Sequence, residues 1–264
     1  KSAVNGLPAP RIVRAGTHGP SRLLLVSTWY CLPASPSICK RIVSGSQLAP
    51  KLGREKLLRG SVPASASTAL VKPSPSVSAA AASVGAFAFS APNSKDAAIS
   101  FLSLASGANS AKISGTGAGM VIAELYDATP AAAFTATTPR LINVSVLKHL
   151  GTGVTAGFVI GGSTARTVLI RAIGPTLGGF GVADTVADPQ LALFSGQTER
   201  ARNDNWGGGS ALAAAFAQVG AFGLAADSRD AALLATLAPG NYTVQVSGVA
   251  GTTGVALVEV YEVP

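Results

Sequence analysis

Charge is in short supply: Asp, Glu, Lys and Arg make up 12% of the 264 residues, about half of what a globular chain usually carries. That shortage excludes a coiled coil and the highly charged class of disordered chain. Histidine and cysteine are scarcer still, two of each, which leaves little for metal or nucleophilic catalysis. Long apolar runs are missing as well. No stretch approaches the roughly 18 uninterrupted apolar residues of a membrane-crossing helix, so no membrane span is expected. What the chain has in quantity is apolar residues, 48%, and glycine, 30. Its length allows one large domain or two ordinary ones.

The net charge of +8 is unevenly placed. Residues 1–77 hold eleven Lys or Arg and one acid, Glu55, whereas residues 78–264 hold nine bases and eleven acids. The N-terminal stretch has Pro and Ser clusters, cations spaced singly or in pairs, and no sustained period of 2.0 or 3.6. Its best strand candidate is the short run 23–26. Residues 1–77 therefore read as a basic, Pro/Ser-rich irregular or disordered region, a leader or linker. A basic arm for nucleic acid is the weaker reading, because such arms concentrate their cations in blocks. Cys31 and Cys39 lie eight apart in this region, as a small disulfide loop or as two free thiols.

Downstream, the sequence repeats itself at domain length. Val84–Gly85–Ala86–Phe87 recurs as Val219–Gly220–Ala221–Phe222, and Lys95–Asp96–Ala97–Ala98 as Arg229–Asp230–Ala231–Ala232. Ile122–Ala123–Glu124–Leu125–Tyr126–Asp127 recurs as Leu257–Val258–Glu259–Val260–Tyr261–Glu262. The offsets of 135, 134 and 135 residues are collinear, and the period is too long for a solenoid. The pattern divides the chain into the C-terminal half of a first repeat at 78–130, a linker at 131–138 and a complete repeat at 139–264.

Within the complete repeat, strand candidates fall at 141–147, 155–160, 166–172, 190–194, 231–237, 242–247 and 255–261. Tyr242, Val244 and Val246 alternate strictly, as in a half-buried strand. The run 255–261 is apolar on both faces apart from Glu259, as expected of a central strand. Pro239–Gly240–Asn241 is a tight-turn signal, since Pro fixes φ and Gly permits positive φ. Residues 210–219 break the β pattern. Leu212, Phe216 and Val219 have helical spacing there, with Ser210 as the cap. The matching helix of the first copy is expected at 79–84. The expected fold is all-β: an antiparallel β-sandwich, Ig-like or jelly-roll-like, with one short helix per repeat.

Motifs for chemistry are sparse. Gly115–Thr116–Gly117–Ala118–Gly119 lacks the third glycine and the βαβ context of a dinucleotide loop and reads as a turn. His149 is the one histidine in the repeats and reads as a surface loop residue. The best candidate binding site is Asn203–Asp204–Asn205–Trp206, with Asp188 upstream. Clustered Asp and Asn oxygens suit Ca²⁺, with Asp188 and Asp204 as its carboxylates. The competing reading is an Asx-rich turn with Trp206 covering the core edge. Trp206 as a sugar-stacking platform is a further alternative. Arg171 closes an apolar strand and is expected to pair with an acid, such as Asp188, at a sheet edge. The sequons at Asn143 and Asn241 lie in or beside strand candidates.

These runs, together with Arg140–Ser145, Thr167–Pro175, Ala187–Leu191 and Gly254–Tyr261, resemble a β-sandwich repeat found near the C-termini of large secreted or surface proteins of bacteria. The 188–205 portion is also similar to bacterial pre-peptidase C-terminal domains. The resemblance covers residues 78–264 and implies an extracellular or cell-surface location and no catalytic residues. The expected function is a non-catalytic structural or adhesion module without a required cofactor. Half a sandwich exposes unpaired strand edges, so its expected partner is protein, by self-association or strand addition from a neighbouring module. The alternative is a Ca²⁺-dependent or carbohydrate-binding accessory domain of a secreted enzyme.

Overall fold

A computed structural model describes residues 23–31, 42–44, 75–100, 107–109, 111, 119–135, 137–138 and 140–264. They fall in two compact units, with residues 75–100 in one and the remainder in the other. The smaller unit holds helix α1 (Pro75–Ser83), of which Val77 is buried, followed by irregular chain.

The larger unit is an antiparallel β-sandwich of two six-stranded sheets. Twelve strands among the described residues build it: β1 (Leu23–Cys31), β2 (Ile42–Ser44), β3 (Gly107–Asn109), β4 (Gly119–Leu125), β5 (Leu141–Leu150), β6 (Val154–Ile160), β7 (Arg166–Ile173), β8 (Pro189–Ser195), β9 (Thr198–Asn203), β10 (Ala231–Leu237), β11 (Gly240–Gly248) and β12 (Gly254–Val263). One sheet runs β4-β1-β6-β11-β8-β9 and the other β10-β7-β12-β5-β2-β3. Four strands of each come from residues 141–263, and the upstream chain adds two to each.

Period-2 alternation positions the core. On β11, Tyr242, Val244 and Val246 are buried, and they meet Val168, Ile170, Ala172, Val258 and Val260 from the opposite sheet. The second sheet is buried on its outer face as well. Helix α2 (Ser210–Gln218) and the loops around it lay Phe216, Trp206, Leu177 and Leu224 over Leu169, Ile173 and Ala232. Sheet on sheet plus this cover makes three layers, which is why β7 reads as nearly continuous apolar sequence.

Three expectations change. β1 and β2 lie inside the stretch read as irregular. They pair with β6 and β5, whose edge groups otherwise lack ladder partners. β9 escaped the alternation signal because its sequence, Thr-Glu-Arg-Ala-Arg-Asn, is largely exposed and has no apolar face. Ser210 is the first helical residue of α2; Gly209 holds the cap position without a side-chain bond. Residues 78–100 and 107–130 fall in different compact units. Cys39 and residues 115–118 lie outside the described residues, as does most of the 1–77 region.

Candidate functional site

The outer face of the second sheet carries the most concentrated chemistry. Arg171 on β7 stands opposite Glu259 on β12 and is completely buried. Its Nε and Nη2 donate to Glu259 Oε2 at 2.9 and 2.5 Å, and Nη1 donates to the Phe222 carbonyl at 2.6 Å. The guanidinium carbon lies 4.9 Å from the Phe216 ring centre and 4.4 Å from that of Phe222. Tyr261 donates its hydroxyl to the other Glu259 oxygen at 2.7 Å. Charge, donors and ring faces are thus answered inside the fold, as a buried cation requires. The expected partner of Arg171 is an acid, such as Asp188, at a sheet edge; the acid found is Glu259. Arg171 instead sits on a central strand, because α2 covers the outer face of the sheet and the alternation turns position 171 toward that cover.

One residue pair nearby repeats the theme. Glu262 is buried and receives Arg140 through a fork, with Nη2 to Oε1 at 2.8 Å, and lies 3.5 Å from Arg166 Nη1. The hydrogen bonds that Arg140 donates to Glu262, with the opposite charge, hold the Arg140 pKa above its ordinary value, against burial.

Asp230 forms a second centre. It is fully buried and accepts from the Gly174 amide at 2.6 Å and from the hydroxyls of Thr176 and Ser228. This pins the turn after β7, where Gly174 passes so close to Val186 that a Cβ would sit 2.2 Å from its carbonyl oxygen.

The Asn203–Trp206 segment is tied to the same place. Asn203 Oδ1 accepts the Ala232 amide at 2.9 Å, and its Nδ2 donates to the Asn205 carbonyl at 2.8 Å. The Trp206 amide donates to the Asp230 carbonyl at 2.9 Å. The segment therefore occupies the outward edge of β10 near Ala232, a side-chain plug on a strand that has no further strand neighbour among the described residues. The indole of Trp206 is buried, donates to the Ala225 carbonyl at 2.7 Å and packs on Phe216. It has no free face for a sugar, which corrects the stacking alternative. Asp204 is exposed. Asp188 accepts from Arg229 at 3.1 Å, with its carbonyl on the Val249 amide. Among the described residues no three His, Cys, Asp or Glu side chains gather into a metal-holding group. His149 meets the exposed Asp184 at 3.1 Å.

Sequence reasoning passed over β4. Leu125 packs against the inter-sheet core, so Ile122, Glu124 and Tyr126 share the opposite, outer face. Burial pushes the Glu124 carboxyl above its usual range, and the hydrogen bond from Tyr126 opposes this. Burial and the Glu124 charge push the Tyr126 hydroxyl up to about 12. Glu124 Oε1 and Asp127 Oδ2 are buried without a hydrogen-bond partner. The signal was present in the sequence as the match of 122–127 to 257–262.

Comparison with family models, with curated proteins and with solved structures finds no match for this chain. No helix among the described residues is long and apolar enough to cross a membrane.

Proposed function

We propose that the chain is a non-catalytic structural or adhesion module of a secreted or cell-surface bacterial protein. In this reading it is a tandem of β-sandwich repeats whose first copy, 78–130, is partial and pairs through its strand edges with neighbouring chains, its own copies included. The observation that carries the reading is a matched set of side chains. Phe87, Ile99 and Ile122 are 56, 59 and 53% exposed. Their counterparts in the second copy, Phe222, Leu233 and Leu257, all belong to or pack against a core. Apolar residues that one copy packs and the other exposes are what a missing half leaves behind.

Element positions agree with this reading. α1 and α2 are each nine residues long and begin 135 residues apart, and β4 and β12 begin 135 apart. The Asn203, Asp230 and Arg171 groups are all engaged in holding backbone or side chains of the fold, which suits a module that bears load. The secreted and bacterial setting is supported by the family resemblance alone.

Sedimentation velocity over about a hundredfold range of protein concentration tests the association, since mass action makes it concentration-dependent. The expected result is a rising weight-average mass. A monomer at every concentration overturns self-association through the partial copy.

A further inference from the structure

The second copy contains a template for what the first copy lacks. In β12 the outer-face row is Leu257, Glu259 and Tyr261, and Glu262 follows. The strand β7 alongside it supplies Arg171 to Glu259, and it brings Arg166 to 3.5 Å from Glu262, whose hydrogen-bonded fork comes from Arg140 just before β5. In the first copy the same row is Ile122, Glu124 and Tyr126, followed by Asp127. The carboxylate–tyrosine bond is kept, as Tyr126 bonds Glu124 where Tyr261 bonds Glu259. Both acids keep a buried oxygen with no partner. The arginines are what is absent: the positions 135 residues before Arg166 and Arg171 are Cys31 and Pro36.

Strand topology puts the vacancy on the matching side. β4 runs with β6, because β1 lies antiparallel between them. β6 reverses β5 after residues 151–153, and β12 also runs against β5, so β4 and β12 point the same way. Across the sandwich β9 and β8 face β10 and β7, while β1 faces β5. Seen from outside its own sheet, β4 therefore has β1 on the hand where β12 has β5. Its other edge, with no strand paired to it among the described residues, is the hand that β7 takes on β12.

We infer that the open edge of β4 is a docking site for an apolar β-strand of another polypeptide that carries two arginines five residues apart, one guanidinium seated on Glu124 and the other on Asp127. This rests on the partial-repeat reading above and names the chemistry of the strand that completes it. Charge complementarity selects the occupant. Two half-buried acids with no cation paired to them among the described residues favour arginine, whose planar fork matches a carboxylate, over a neutral strand. Main-chain pairing along β4 supplies affinity, and covering Ile122 adds apolar burial. The β7 strand of a second folded copy is no candidate, because it lies inside its own sheet with both edges paired.

A labelled synthetic peptide with the sequence of residues 166–175 is the probe, titrated by fluorescence anisotropy into the full chain. Saturable binding is expected, with hydrogen-exchange protection appearing on residues 119–125. Replacing the peptide's Arg171 by Leu should weaken it about tenfold or more, the scale of a lost charge-assisted hydrogen bond. Arg166→Leu should weaken it less, since Arg166 stands 3.5 Å from its acid in the template. E124Q in the protein should reproduce the Arg171→Leu loss. The peptide variants carry the test by themselves if E124Q fails to fold. No binding, or equal binding by the Arg171→Leu peptide, overturns the proposal. Association of the chain without peptide binding leaves the partial-repeat reading standing and removes the arginine site. Arginine-dependent peptide binding by a strictly monomeric chain does the reverse to self-association.

Discussion

A guanidinium with no exposed surface is tolerated only while its charge is answered, and here one Glu259 oxygen accepts two of its N–H groups while ring faces screen the rest. Removing either partner leaves an uncompensated charge under α2. Arg171→Met and Glu259→Leu should each lower stability by about 3–5 kcal/mol, whereas the double variant, with no charge left to answer, should lose less than either single one. Urea denaturation of the four proteins as a double-mutant cycle reads the coupling directly. The same physics runs in the opposite sense at Glu124, where the counter-cation is missing. Burial raises its pKa above the unfolded 4.5, so the folded state holds a proton that the unfolded state has released. Ionisation is therefore unfavourable to folding, and its cost appears as pH rises through the raised folded value. E124Q should melt higher than the parent at pH 7, and the difference should vanish below pH 4.5, where both side chains are neutral. An unchanged gap at low pH would show that the cause is packing.

At the scale of elements, α2 earns its place by what it covers. Its exposed face is mostly alanine, while Phe216 reaches the sheet, stacks beside Trp206 and caps Arg171. Truncation to Ala should cost about 3–5 kcal/mol, as for buried Phe generally. It should also unseat the Trp206 indole, visible as a red shift of its fluorescence alongside the loss of stability in denaturant. The helix itself was legible from Leu212, Phe216 and Val219 at helical spacing, and the seven strands of 141–263 with apolar faces were legible from alternation and turn residues. β9 was not, because a charged edge strand has no buried face to write a period into the sequence. The Asn203–Trp206 group reads in the sequence either as an ion or binding site or as an Asx-rich turn with Trp206 covering the core edge. Its two readings share one sequence signature, and only tertiary contacts with Ala232 and Asp230 favour the edge plug over an ion site. The acid that pairs with Arg171, and the burial of the pair, were not legible for a related reason. Apolar residues on both sides of it predict a buried strand, but nothing local reveals that a helix closes over its outer face.

For the molecule as a whole, the duplication spacing was the most informative sequence feature, while β1 showed only in the short run 23–26 and β2 had no usable signal, because tertiary pairing overrides weak local preference. Burial is distributed very unequally along the described chain. β7 and β12 lie between paired neighbours under two apolar layers, whereas residues 75–100 bury one hydrophobic side chain, Val77, and expose Phe87 and Ile99. Local opening free energy follows such contacts, from near zero at sparsely packed segments to the global value in core strands. Native-state hydrogen exchange should therefore find the slowest amides on β7 and β12, and amides of 75–83 exchanging faster by several orders of magnitude despite their helical hydrogen bonds. Short helices owe most of their stability to packing, and this one has little. Exchange from 75–83 as slow as from β12 would mean that the helix is packed by something beyond the contacts described, and would remove the apolar exposure on which the partial-repeat reading depends.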